Sequence, residues 1–208
     1  LRRKLLDSDS LLAPWCNHFL RLARTQGEWF SPYTVLAALV TREEADIQRA
    51  KDAFCRFVEL APQALGSNEA QFHTHVTAAP IGRWGIYYDW LSQLGIFSAG
   101  ENRQIQAALL DHAYVFPLQA LQGRIRSFDN QILSNAFCAT AVGYVCGVKR
   151  GDSAMGRRLF SSGLAWLTEL MKLLPADGYS GEGSTYQEHV VMPMVTLSAL
   201  LMQETNGQ

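Results

Sequence analysis

Apolar residues recur at intervals of three and four along almost the whole chain, while the alternating, β-branched runs that mark strands are nearly absent. A chain patterned this way buries its apolar stripes by packing helix against helix, so the expected fold class is all-α. The spacing predicts helices at about 10–25, 32–41, 43–61, 80–95, 99–116, 129–148, 152–174 and 184–204. Local punctuation agrees. Ser98 is followed three residues on by Glu101, the pattern of a capping box, Asp152 follows Gly151, and the PADG run at residues 175–178 stops a long helix. Helices of this length joined by short linkers predict antiparallel hairpins packed side by side, an incomplete (α/α) toroid in one domain over residues 1–208. No tandem repeat of fixed period is visible, which disfavours repeat solenoids.

Composition excludes several functions. With 18 Lys plus Arg against 19 Asp plus Glu, the net charge is −1, which argues against a nucleic-acid binder that relies on a basic surface. At 48% hydrophobic and 18% charged residues, the chain has ample material for a core. The apolar stretch at 190–202 is interrupted by Pro193, Thr196 and Ser198, so no membrane partner is expected. The chain begins at Leu1, and its first six residues, LRRKLL, lack the pattern of a signal peptide, so a fragment or processed chain is expected. Cys16, Cys55, Cys138 and Cys146 form no CxxC pair and have no His at zinc-finger spacing; buried free thiols are expected, with no metal and no cofactor.

Two linkers differ in kind from the others. Residues 62–79 carry Gly66, Ser67, Asn68 and the pair His73 and His75 with little helical periodicity, and residues 177–184 pack three glycines and two acids into eight positions. A loop so rich in glycine lets backbone approach a ligand closely.

Three segments could carry chemistry. In WGIYYDWL, residues 84–91, four aromatic rings and one acid share a helix. Trp84 and Tyr88 could stack on the apolar faces of sugars while Asp89 takes hydroxyls; the alternative is that the rings pack the core. In RIRSFDNQ, residues 124–131, Ser127 or Asp129 caps a helix whose first turn holds Asn130 and Gln131, with Arg124 and Arg126 upstream. Such a turn suits a carboxylate, and ordinary capping is the alternative. In DGYSGEGSTYQEH, residues 177–189, Tyr186 and His189 lie three apart on one helix face after the Gly-rich loop. Positive potential at a helix start favours a phenolate, which matters if Tyr186 moves a proton; a half-buried, satisfied Tyr is the alternative.

These three segments, in this order, resemble the helical toroid domain of the heparinase II/III-like polysaccharide lyases, which include oligoalginate lyases. The resemblance covers roughly residues 30–204. It implies β-elimination at a uronic acid of an anionic polysaccharide or oligosaccharide, with Asn130 holding the uronate carboxylate. Tyr186 would act as general acid and in some members also as base, and Glu182 would shape the loop or bind hydroxyls. Gln131, His189, Arg124, Arg126, Tyr88 and Trp84 complete the expected substrate contacts. Where the family often has His directly after the Asn, this chain has Gln131, which cannot titrate. The family also continues into a β-sandwich domain, so this chain is expected to be a fragment lacking that partner, from a periplasmic or secreted protein.

Other residues are discounted. His73 and His75 are expected as a loop pair, His18 and His112 as structural histidines, and Arg83, like Arg124 and Arg126, as a cation suited to an anionic chain. Two other functions fit the same composition. One is a glycoside hydrolase using two carboxylates from Asp89, Asp129, Asp177 and Glu182; the other is a non-catalytic carbohydrate-binding or assembly module.

Overall fold

A computed structural model of the chain describes residues 6, 8–10, 13–25, 32–65, 74–114, 130–151, 153–173 and 192–206. These residues are all-α, with no strand among them. The helices are α1 Ala13–Thr25, α2 Pro32–Thr41, α3 Glu44–Leu65, α4 Thr74–Ser92, α5 Ala99–Ala113, α6 Asn130–Tyr144, α7 Ala154–Leu173 and α8 Met192–Asn206. A π-helical turn, Val145–Lys149, prolongs α6 and closes with Arg150 N–H donating to the Val145 carbonyl at 2.9 Å. Each expected helix has a counterpart. Residues 184–191 of the last expected helix lie outside the described residues; among the described ones, the largest departure is α4, expected from about residue 80, which starts at Thr74 and carries Pro80 inside. Proline lacks an N–H, so the carbonyl of Val76 loses its helical donor, yet the helix persists. Residues 62–65 and 74–79, expected in a linker, are therefore helical.

The chain divides into two compact units, Leu1–Leu60 with Tyr87–Ile105, and Ala61–Ile86 with Gln106–Gln208. In the first, Cys16, Phe19 and Val40 form a small core to which Leu20, Tyr33 and Leu36 add. The α2–α3 corner is tied by charge. Asp46, 1% exposed, accepts hydrogen bonds from Arg24 Nη2 at 2.8 Å, Thr41 Oγ1 at 2.9 Å and Arg49 Nη1 at 3.2 Å. Burial alone would raise this carboxyl, but the bonds from Arg24 and Thr41 and the two nearby guanidiniums outweigh it and hold the group below its ordinary value. Arg42, which leaves α2, has φ 59°, a left-handed conformation that terminates the helix. Phe54, Tyr88 and Phe97 make a second cluster, with ring centroids 5.6 to 6.3 Å apart.

The same unit holds the capping box read from the sequence. Ser98 N–H donates to Glu101 Oε2 at 2.8 Å and Glu101 N–H to Ser98 Oγ at 3.2 Å, while Lys51 Nζ sits 3.0 Å from the other Glu101 oxygen. The bond from the Ser98 backbone, then Lys51 and the Ser98 hydroxyl, pull the Glu101 carboxyl from 4.5 to about 2.

The second unit is built around α6. Every residue from 133 to 147 is buried, so this helix has no solvent face over about four turns. Its 18-residue stretch Ile132–Lys149 is long and apolar enough to cross a membrane by length and composition, although Ser134, Asn135 and Thr140 interrupt its apolar run. Its mostly buried side chains make it the core helix of this unit. Glycines bring its neighbours close to its backbone. Gly143 and Gly147 of α6 and its π turn lie against the backbone of Phe160 and Gly156 of α7, and a Cβ on Gly163 would sit 2.5 Å from Thr140 N. On another side, a Cβ on Gly82 of α4 would sit 2.7 Å from the Phe137 ring and 3.1 Å from Cys138 Cα, and one on Gly85 would sit 3.2 Å from the Val142 side chain. Gly163 faces Thr140 while Gly156 faces Gly147, so α7 is antiparallel to α6. Gly82 faces Cys138 while Gly85 faces Val142, so α4 runs in the same sense as α6.

Two outcomes follow from this packing. Gly156→Ala drives a methyl into the backbone of Gly147, which cannot retreat, and should lower unfolding free energy by about 1–3 kcal/mol despite the better helix propensity of Ala. Gly100→Ala, whose nearest neighbour is the Ser98 hydroxyl at 3.9 Å, should be neutral or stabilising in the same denaturant titration. The second outcome concerns Glu101, whose folded carboxyl titrates below its unfolded value. Its contribution is complete above about pH 4.5 and disappears as pH falls towards 2. Thermal melts should show Glu101→Gln less stable than the parent at pH 7 and the two indistinguishable near pH 2.

Candidate functional site

The register within the second unit determines which chain ends meet. Eight residues before Gly82, α4 begins at Thr74, and eight residues before its neighbour Cys138, α6 begins at Asn130. Ten residues beyond Gly163, α7 ends at Leu173, and ten residues before its neighbour Thr140 lies Asn130 again. The start of α4, the start of α6 and the end of α7 are therefore level, at one end of this unit. Helix α8 joins them, since Met194, its third residue, accepts a hydrogen bond on sulfur from Ser134 Oγ at 3.3 Å, one turn into α6.

This convergence gathers the anchors of two of the sequence segments. Asn130 and Gln131 occupy the first turn of α6; their side chains lie outside the described part of the structure. Glu182, Tyr186 and His189 also lie outside the described residues, but the chain that carries them leaves from Leu173, level with Asn130, and returns at Met192, two residues before the Ser134 contact. Arg124 and Arg126 lie outside the described residues as well, immediately upstream of α6. Within the described part of α4, Arg83 is half-buried beside Gly82, the residue that touches α6.

The aromatic segment behaves differently. Trp84 is 3% and Tyr88 1% exposed, and the Tyr88 hydroxyl donates to Asn102 Oδ1 at 2.7 Å. Neither ring offers a face to a sugar, so both are corrected from stacking residues to core residues. Their neighbours Tyr87 and Trp90 reach further out, with ring centroids 5.9 Å apart and Trp90 exposed. Asp89 is buried. A helix that is apolar on most of its circumference gives no periodic sign of which rings face inward, and this is why composition alone misplaced them.

The remaining candidates are settled one by one. His112 is a structural histidine: burial depresses its imidazole and its Nδ1 lies 2.9 Å from the Ala108 carbonyl. His18, expected as a structural histidine, is exposed on α1 with its Nδ1 3.2 Å from Arg21 Nη2. All four cysteines are free, with Cys16, Cys138 and Cys146 buried and Cys55 partly so. Burial pushes the Cys146 thiol up to about 12 and raises Cys138 in the same direction, which leaves neither as a nucleophile. Among the described residues no group of three metal-ligating side chains occurs. His75, expected in a loop pair with His73, lies in the first turn of α4 instead, and its side chain is outside the described part of the structure. The HTH run was visible, but Pro80 hid the helix that carries it.

Comparison of the chain with protein-family models, with curated proteins and with solved structures finds no match in any of them.

The junction between α6 and α8 can be tested directly. Met194 is fully buried against α6, so Met194→Ala should cost about 2–5 kcal/mol in chemical denaturation. Ser134→Ala, which removes the hydroxyl that donates to the Met194 sulfur, should cost less than Met194→Ala in the same titration.

Proposed function

We propose that this chain is a helical toroid domain of a polysaccharide lyase resembling the heparinase II/III-like enzymes, and that it cleaves a uronate-containing anionic polysaccharide by β-elimination. The observation that carries this proposal is the meeting of chain ends: α6, which opens with Asn130, starts level with the end of α7 and beside the start of α8, the two helices that bracket residues 177–189. Two segments about fifty residues apart in sequence are thereby anchored at one end of one unit. The helix directions support the toroid, since side-by-side hairpins make alternate helices parallel, as α4 and α6 are, with α7 antiparallel to α6.

In this mechanism Asn130 donates to the uronate carboxylate, which lets charge developing at C5 delocalise into it. Tyr186 protonates the leaving glycosidic oxygen. Glu182 and His189 contact sugar hydroxyls, Gln131 adds a second amide, and Arg124, Arg126 and Arg83 supply positive charge along an anionic chain. The burial of Trp84 and Tyr88 removes them from the binding surface, and the reading does not need them. A complete enzyme of this kind would add a β-sandwich domain and act in the periplasm or outside the cell.

The test is a panel of heparin-type, chondroitin-type and alginate-type polymers followed by ultraviolet absorbance of the unsaturated product. A rise is expected with one class, and Asn130→Ala and Tyr186→Phe should each lower its rate by about 10²–10³-fold. New reducing ends without absorbance would move the assignment to hydrolysis by the carboxylates Asp89, Asp129, Asp177 and Glu182.

A further inference from the structure

At the end of the second unit away from Asn130, the α6–α7 hairpin turns over. Gly147 lies seventeen residues beyond Asn130, about 25 Å along the helix. There main chain meets main chain, since a Cβ on Gly156 would sit 2.7 Å from Gly147 Cα. The two glycines fill the contact and leave no gap between the helices for their apolar neighbours, so Val148 and Met155 stay 41% and 37% exposed. The turn is closed on itself. Arg150 N–H donates to the Val145 carbonyl at 2.9 Å, and Ser153 accepts from Arg157 N–H on its carbonyl at 3.0 Å and from Gly156 N–H on its hydroxyl at 3.2 Å. The tip therefore presents its apolar pair on a fixed frame.

Positive charge surrounds that pair. Lys149, Arg157 and Arg158 are exposed and Arg150 is half-buried, and Arg158 lies three residues after Met155 on the same face of α7. Lys149 Nζ stands 5.8 Å from the centroid of the Tyr144 ring, a contact that keeps its charge at the end of the hairpin. Between Asn130 and Glu169 the sequence holds one acid, Asp152, which lies outside the described residues. Helix α5 meets the loop at Gly151 through Gln106, an uncharged amide. In a chain of net charge −1 this is a local concentration of cations, and its complement is an anionic surface.

We propose that this tip docks on an anionic phospholipid membrane, with Val148 and Met155 entering the headgroup boundary and the surrounding Lys and Arg side chains lying against the lipid phosphates. Charge alone would suit any polyanion, and the apolar pair decides among them. An acidic polysaccharide is hydroxylated and charged along its length and offers an aliphatic side chain little to bury against, whereas acyl chains accept both residues. Such a contact is peripheral and needs no spanning segment, so the interruption of the apolar stretch at 190–202 does not bear on it. It stands independently of the lyase reading.

The experiment is co-sedimentation of the full chain with vesicles of phosphatidylcholine mixed with phosphatidylglycerol, and with vesicles of phosphatidylcholine alone, at low and high salt. Three variants are compared with the parent: Arg157→Gln/Arg158→Gln, Val148→Ser/Met155→Ser, and Arg21→Gln/Arg103→Gln, which removes the same charge from exposed positions elsewhere. All six side chains are exposed or nearly so, and thermal melts check that each variant folds as the parent does. The parent should bind the mixed vesicles, weaken as salt rises, and ignore the neutral ones. Each Lys or Arg at an anionic leaflet strengthens binding about fivefold, so Arg157→Gln/Arg158→Gln should lower partitioning about 25-fold. Val148→Ser/Met155→Ser should lower it about tenfold, and Arg21→Gln/Arg103→Gln by less than about twofold. Failure to bind the mixed vesicles at low salt, an unchanged Arg157→Gln/Arg158→Gln, or an equal loss in Arg21→Gln/Arg103→Gln overturns the proposal. So does unchanged binding in Val148→Ser/Met155→Ser, which would mark the tip as a site for a soluble polyanion instead.

Discussion

The second unit depends on direct backbone contact between α6 and α7. Gly143, Gly147 and Gly156 leave no room for a side chain at the crossing, so the two helices meet at the separation set by their main chains. Close contact of this kind maximises dispersion over a long seam and fixes register, since a shift by one residue would put Met155 or Arg157 in the place of Gly156 and Ser162 or Leu164 in the place of Gly163. The π turn at Val145–Lys149 extends this seam, placing Gly147 against Gly156 after the regular α-helix has ended.

From that seam the arrangement at the end of the unit follows. Because α4 is held in parallel to α6 by Gly82 and Gly85, and α7 is held antiparallel, the position of Asn130 specifies which residues of three other helices stand near it. The proposed chemistry therefore draws on contacts made two or three turns away. A methyl group added at Gly82 or Gly163 would act on the site without touching it, by displacing a helix start relative to Asn130.

Much of this was legible in the sequence. The 3.6-residue periodicity located the helices, and Ser98 with Glu101 announced a cap whose two reciprocal bonds are present. What escaped was information that a linear sequence does not hold. Pro80 suggests a helix start, but the start at Thr74 survives because one missing donor is a small loss within a helix of 19 residues. Trp84 and Tyr88 look alike as sugar platforms or core residues until their burial is known, since aromatic rings serve both purposes. Asp46 was legible only in part, because Arg49 three residues on is a local partner whereas Arg24 lies 22 residues upstream and only the fold brings that pair together.

A helix buried from residue 133 to residue 147 also has a history within the growing chain. The apolar sequence Ile132–Lys149 leaves the ribosome before α7 exists, and the last residue of α7 follows Gly147 by 26 residues. At typical elongation rates of about 5–20 residues per second, α6 waits about one to five seconds for the helix that covers it. During that interval it presents the same apolar segment that a membrane-insertion pathway or a chaperone recognises. The sooner α7 follows, the shorter the interval in which that apolar surface stands uncovered.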